Sequence, residues 1–248
     1  MNVSRGLLLL SEGNVIMSKV CPLYGGIVLY LDCLECNDRI KCRSVEMKKY
    51  KTMIIGIDQS YQNTGISICC DGKIKLVTSI HLEKLKNNTE KRNMIRKKLR
   101  KLIELNKDKA EKVIVVVEQI RLRSRRFISI DYIKSMGSLN AVIVDVCKTF
   151  DIEVYSVDTR CWKATVVGTS LGKKNRYGVP EEKYPTVAWC MKQGLKNSII
   201  EEIKGRKKNG TFVGKDGKRY MFNNDACDSA AISMFYFKGR LDKLTLEN

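Results

Sequence analysis

From Met53 onward, apolar positions switch between the short runs of strands and the three-to-four-residue period of helices. Met53–Asp58 (MIIGID) reads as a buried strand, and Gly65–Cys70 (GISICC) follows so closely that it reads as its antiparallel partner. Lys73–Leu82 is a third strand, entered through an Asp71-Gly72 turn. From Glu90 to Leu105, Met94, Ile95, Leu99, Leu102 and Ile103 form one helical stripe with basic residues opposite. Lys112–Gln119 (KVIVVVEQ) is almost wholly β-branched and apolar, the signature of a central strand. A helix over Ile130–Phe150, a strand over Ile152–Val157 and a helix over Pro180–Leu195 follow. The last helix spans Asn224–Phe237, with Asn223 or Asn224 as its cap. Strands and helices in alternation predict an α/β domain over residues 53–240.

Residues 1–50 break that pattern. They are Cys-rich, carry no long periodic stretch and read as a separate extension. Residues 1–16 admit two readings, as part of the chain or as sequence upstream of a start at Met17. The run Leu7–Leu10 is too short for the apolar region of a signal peptide, and no run of 18 apolar residues exists to cross a membrane. Two loops, Gly168–Gly178 and Gly205–Arg219, are rich in Gly, Lys and Arg, and the second suggests a hairpin around Asp216-Gly217.

Charge changes the picture. Lys and Arg number 46 against 27 Asp and Glu, a formal net charge of +19. Such an excess says little about fold but favours a polyanionic partner, nucleic acid first and an anionic membrane second. The basic helices lack the aromatic-rich face of a membrane-surface helix. Of ten Cys, Cys69, Cys147, Cys190 and Cys227 lie inside apolar patterns as small hydrophobes. With no disulfide framework and no signal, a reducing cytoplasm is the expected location.

Four carboxylates sit where chemistry would need them. Asp58 and Glu118 end apolar strands, and Asp225 and Asp228 lie three apart, on one face of the last helix. Mg²⁺ or Mn²⁺ prefers oxygen donors, and two ions about 4 Å apart can clamp both reacting oxygens of a phosphodiester. Each residue has a plainer role on its own. An Asp after a strand starts turns, and acids in a first helical turn complement the dipole by about 0.3–1 kcal/mol each. Glu118 is harder to set aside, because an unpaired carboxylate ending VIVVVE would be costly to bury.

The stretches that carry these residues resemble a known family. GIDQSYQNTG (Gly56–Gly65), VVVEQ (Val115–Gln119), VYSVDTRCWKATVVGTSLGKK (Val154–Lys174) and DACD (Asp225–Asp228) are similar, in order and spacing, to the motifs of RuvC-type Holliday junction resolvases. The resemblance covers about residues 53–238. It implies a ribonuclease H-like fold, a mixed five-stranded sheet flanked by helices. It also implies Mg²⁺ or Mn²⁺ dependence and a homodimer that cuts four-way DNA junctions as an endonuclease. By position, Asp58, Glu118, Asp225 and Asp228 become the metal ligands, while Lys163 and Lys173 or Lys174 fall near the scissile phosphate. Some members place a His in the last helix; here the one His is His81, elsewhere in the chain. Residues 1–52 and the Gly205–Arg219 segment depart from the pattern, which leaves room for a phage-type relative acting on other branched DNA.

Arg121, Arg123, Arg125 and Arg126 follow Glu118 and suit phosphate contacts, with Phe127 as a candidate wedge or a packing residue. The basic run Lys91–Lys101 reads equally well as DNA-proximal or as a solvated face. Cys21, Cys33, Cys36 and Cys42, spaced C-x11-C-x2-C-x5-C, could hold a structural Zn²⁺ that staples a small segment. Two further classes compete with the nuclease: a catalytically silent nucleic-acid-binding relative, and a sugar kinase or actin-like ATPase. The second needs a duplicated domain, whereas this chain has one copy of the first motif.

Overall fold

The computed structural model describes residues 50–120, 129–168, 184–203 and 211–247, together with the backbone of three short strands nearer the start. The chain divides into two units, Met1–Lys49 and Tyr50–Asn248. In the first, β1 (Leu7–Leu9), β2 (Val15–Val20) and β3 (Ile27–Leu29) form an antiparallel sheet with β2 central. The sequence pattern did not announce these strands: β1 and β3 have three residues each, and β2 (VIMSKV) shows no alternation of apolar and polar positions.

The second unit is built on six strands. These are β4 (Tyr50–Asp58), β5 (Asn63–Cys70), β6 (Lys73–His81), β7 (Ala110–Glu118), β8 (Glu153–Val157) and β12 (Leu244–Leu246). Their order is β12-β8-β7-β4-β5-β6. β4 runs parallel to β7, β7 parallel to β8, and the remaining neighbours are antiparallel. This is a mixed sheet flanked by helices, as the sequence predicts, extended at one edge by β12, a sixth strand beyond the five expected. Asp71 (φ 47°) and Gly72 (φ 75°) both take left-handed backbone, which makes the tight β5–β6 turn.

Alternation splits each strand between two layers. One face carries Met53, Ile55, Ile57, Val115 and Val117 against α1 (Asn88–Asn106) and α2 (Ile130–Lys148). The helix α1 starts at Asn87, whose side chain accepts from the Glu90 backbone N–H, and buries Ile95, Leu99 and Ile103. The cap of α2 is Ser129, which accepts from Tyr132 N. The other face carries Ile54, Cys69, Ile114, Val116 and Val157, and α5 (Asn224–Phe235) covers it. Beside α5 pack α3 (Thr159–Trp162), which runs on into a π-helical turn at Lys163–Val167, and α4 (Tyr184–Lys192). Pro180, expected near the start of α4, lies outside the described residues.

The Gly205–Arg219 segment contributes the expected hairpin, β10 (Thr211–Val213) and β11 (Arg219–Phe222) around Gly217. A further strand, β9 (Ile200–Glu202), pairs with β11 to give a small antiparallel sheet. Phe212 stacks on Phe222 at 5.1 Å between ring centres. Among the described residues, no helix is long and apolar enough to cross a membrane.

Candidate active site

The helix α5 is buried from Ala226 to Phe235 on every side, so its small residues, Ala226, Ser229, Ala230, Ala231 and Ser233, let its neighbours approach. Two glycines of the sheet complete the seat. A methyl on Gly65 would lie 1.9 Å from the Asp225 carbonyl oxygen, and one on Gly56 would lie 2.4 Å from that of Ser229. Between them, the buried Ser67 hydroxyl donates to the Ser229 carbonyl at 2.7 Å and lies 2.9 Å from Ser233 Oγ. The helix therefore lies almost on the backbone of β4 and β5. These contacts are the structural reason for glycine in both the GID and the NTG stretches.

That seat fixes the acidic residues. Gly65 is the cross-strand partner of Asp58. In β4, Asp58 has the parity of Ile54 and Gly56, so it points to the α5 side. By the same alternation, Glu118 follows Ile114 and Val116 to that side. The β4–β7 ladder runs to Ile57↔Val117, which leaves Asp58 and Glu118 next to one another as the following residues. The first turn of α5 brings Asp225 over Gly65, and Asp228 follows one turn on, 3% exposed. Four distant carboxylates thus share one end of one sheet face.

The strand ends are held by polar side chains. Asp58 is 8% exposed and Gln59 is 7% exposed. The Gln59 amide donates to the Glu118 carbonyl at 3.0 Å. The Thr159 hydroxyl, in the first turn of α3, donates to Glu118 Oε1. The buried Thr64 hydroxyl donates to the Ser60 carbonyl at 2.7 Å and pins the loop after Gln59. At the start of α5, Asn223 is the cap, accepting from Ala226 N at 2.9 Å. Its amide nitrogen donates to Ser79 Oγ at 2.7 Å and to Glu201, tying the small sheet to the helix that bears Asp225 and Asp228.

Lys163 stands four residues after Thr159, and its ammonium lies 5.1 Å from the centre of the Trp162 ring. Its carbonyl accepts from Gly168 N at 3.0 Å, the wide closure of a π turn, a distortion frequent at functional sites. A cavity of about 320 Å³ opens beside Asp225, lined by Asn63, His81, Glu83, Glu201 and Asn223 among others. Its acidic lining is a poor host for phosphate. The exposed Lys97, Lys98 and Lys101 of α1 belong to the helix layer on the opposite sheet face from the carboxylates.

Carboxylates without thiolate or imidazole suit a hard cation such as Mg²⁺. Among the described residues, however, no group of three or more His, Cys, Asp or Glu side chains is close enough as it stands to hold a metal ion. The fit to a divalent cation thus lies in donor chemistry and backbone placement. Arg121, Arg123, Arg125, Arg126, Phe127, Lys173 and Lys174 lie outside the described residues, as do Cys21, Cys33, Cys36 and Cys42.

Gln59, Ser67 and Thr159 went unnoticed in the sequence. A polar residue directly after a buried strand's terminal Asp was the one available hint for Gln59. Nothing local marks Thr159, whose partner is 41 positions away.

No family model and no curated protein matches the chain. Among solved structures it is similar to T. thermophilus RuvC in complex with a Holliday junction substrate, at 11% identity and TM-score 0.49, over 79% of this chain and 99% of that one. A second Thermus thermophilus RuvC structure gives 13% identity and TM-score 0.48, over 79% and 99%. The yeast mitochondrial Holliday junction resolvase Ydc2 gives 16% identity and TM-score 0.43, over 81% and 84%.

Proposed function

We propose that the chain is a metal-dependent endonuclease acting on four-way or other branched DNA. The observation that carries this reading is the convergence of backbones. Asp58 and Glu118 end neighbouring parallel strands with the same parity, and α5 lays Asp225 and Asp228 over that corner. Those four carboxylates would hold Mg²⁺ or Mn²⁺, which when bound polarises a phosphodiester and lowers the pKa of an attacking water.

The chain's own residues do the rest. Asp58 and Asp228 are largely withdrawn from water, which strengthens their attraction for a cation. Glu118 is oriented through Thr159. Lys163 is placed one helical turn beyond Thr159, where a cation can meet a phosphate oxygen once it leaves the Trp162 ring. The surplus charge of +19 supplies the attraction for the DNA backbone. Arg121, Arg123, Arg125, Arg126, Lys173 and Lys174 are the sequence's candidates for phosphate contacts, with Phe127 as a wedge. A homodimer would present two such sites to a junction. Structural Zn²⁺ on Cys21, Cys33, Cys36 and Cys42 is a separate proposal for the N-terminal unit.

The test is incubation of purified protein with labelled four-way, three-way and linear duplex DNA, in Mg²⁺ and in EDTA. The expected result is Mg²⁺-dependent nicking of the branched substrates and its loss in Asp58→Asn and Glu118→Gln. Equal cutting of linear and branched DNA would reject branch selectivity and spare the nuclease. Cleavage that persists in both variants would reject the metal assignment.

A further inference from the structure

We propose that Gln59 and Thr159 are positioning residues that aim Glu118 at the cation, an inference that rests on the metal-dependent reading above. The backbone ladder between β4 and β7 has its last pair at Ile57↔Val117, one residue short of both strand-end carboxylates. Strand ends fray where the ladder stops. Here the Gln59 amide replaces the missing backbone donor, reaching across to the Glu118 carbonyl at 3.0 Å. At 7% exposure that bond is shielded from competing water. On the other flank, Gln119 N donates to the Val157 carbonyl at 2.9 Å, carrying the β7–β8 ladder past Glu118. Glu118 is therefore gripped through its backbone from both neighbouring strands.

The side chain is gripped as well. Thr159 follows Asp158, whose carboxylate accepts from Arg160 N at 2.8 Å and caps α3. The cap fixes the first turn of α3, and that turn presents the Thr159 hydroxyl to Glu118 Oε1. A carboxylate has two oxygens with about four acceptor sites. A hydroxyl on one oxygen sets the torsion of the group and leaves the other oxygen for a cation. Partners of metal-binding carboxylates commonly change metal affinity by about 10- to 100-fold when removed.

The test is Mn²⁺ affinity, read from the electron paramagnetic resonance of the free aqua ion, beside the metal-free melting temperature and the Mg²⁺ dependence of cleavage. Thr159→Val and Gln59→Leu are expected to weaken Mn²⁺ binding by about 10- to 100-fold. Thr159→Ser, which keeps the hydroxyl, is expected to restore it. A role confined to folding would instead lower the melting temperature in EDTA and leave affinity alone. If Thr159→Val fails to fold, Thr159→Ala serves in its place. Wild-type Mn²⁺ affinity in the Thr159 and Gln59 variants, with affinity lost in Glu118→Gln, would overturn the proposal and leave the metal reading intact. Absence of both Mn²⁺ binding and Mg²⁺-dependent cleavage in the unaltered protein would overturn the two together.

Discussion

Gly65→Ala is a methyl-sized test of the whole arrangement. The added carbon would sit 1.9 Å from the Asp225 carbonyl oxygen and 2.3 Å from its carbonyl carbon. Ordinary contact begins at 3.4 Å, so it falls about 1.5 Å short of what that oxygen allows. The obstructing atoms are backbone on both sides, and no side chain can swing away. The first turn of α5 must lift from the sheet or β5 must bend. Overpacking of this kind costs about 1–3 kcal/mol. For a domain of this size each kcal/mol lowers Tm by roughly 2–4 °C, so a loss of about 2–12 °C is expected. The displaced turn carries Asp225, and a misplacement of about 1 Å in a positioned group can cost on the order of 10²-fold in rate.

Single-turnover cleavage of a labelled four-way junction, beside a thermal melt, reads both effects. Gly137→Ala is the control. It makes the same chemical change at an exposed site inside α2, where nothing lies within 4 Å of the new methyl. There, Ala should stabilise by roughly 0.5–1 kcal/mol and leave cleavage unchanged. An unaltered Tm and rate for Gly65→Ala would mean that α5 is not seated on β5. A lowered Tm with full activity would mean that the seat does not place the acidic residues.

Three other outcomes follow from the same structure. Asn223→Ala removes the cap of α5 and is expected to cost about 0.5–2 kcal/mol in urea unfolding, with an unchanged midpoint counting against the cap's role. Adding Mn²⁺ to the metal-free protein at about 100 times its Kd should stabilise it by about 2.7 kcal/mol, and Asp58→Asn should abolish most of that rise; equal rises in both proteins would remove Asp58 from the site. Burial pushes the Cys69 and Cys147 thiols up to about 12 from 9.0. The folded state therefore holds protons that the unfolded state releases, so the contribution of these thiols is complete below pH 9 and shrinks as pH rises from 9 toward 12. A urea midpoint that stays flat across that range in the unaltered protein, or falls equally in Cys147→Ala, would contradict this.

Legibility in the sequence tracked element length. β4, β5, β7 and the four longer helices carry runs long enough to show a period, and their predicted limits lie within two residues or so of those observed for most of them, whereas the four-residue α3 was not predicted. β9 (IEE) and β12 (LTL) have three residues each, too few for alternation to register. β12 exists because the β8 edge offers unpaired backbone, a fact about the sheet and not about Leu244–Leu246. The same holds at the site. The carboxylates were visible because Asp58 and Glu118 end strands and Asp225 and Asp228 sit in the first turns of a helix, and the ends of elements can be read locally. Gln59 and Thr159 were not, because each acts on Glu118 across a strand boundary that only register defines.

This difference in legibility has a physical origin in how like charges are kept together. Adjacent strands lie about 4.8 Å apart, so Asp58 and Glu118 repel one another across the ladder. Asp58 and Asp228 are also nearly shut off from water, which would otherwise screen the repulsion. A loose loop would relax by swinging such groups apart. Here three of the four retreats are blocked: β4 and β7 are locked by register through Ile57 and Val117, and α5 is locked by Gly56, Gly65 and the Ser67 hydroxyl. The remaining freedom is side-chain torsion, and at Glu118 the Thr159 hydroxyl limits it. The fold thus concentrates negative charge on rigid backbone and leaves only the carboxylate arms to adjust. On the proposed metal-dependent reading, such a site would gain stability from a divalent cation and lose it when the cation leaves. The acidic residues therefore lie on the most regular elements of the chain, and the polar residues that hold them lie where those elements stop.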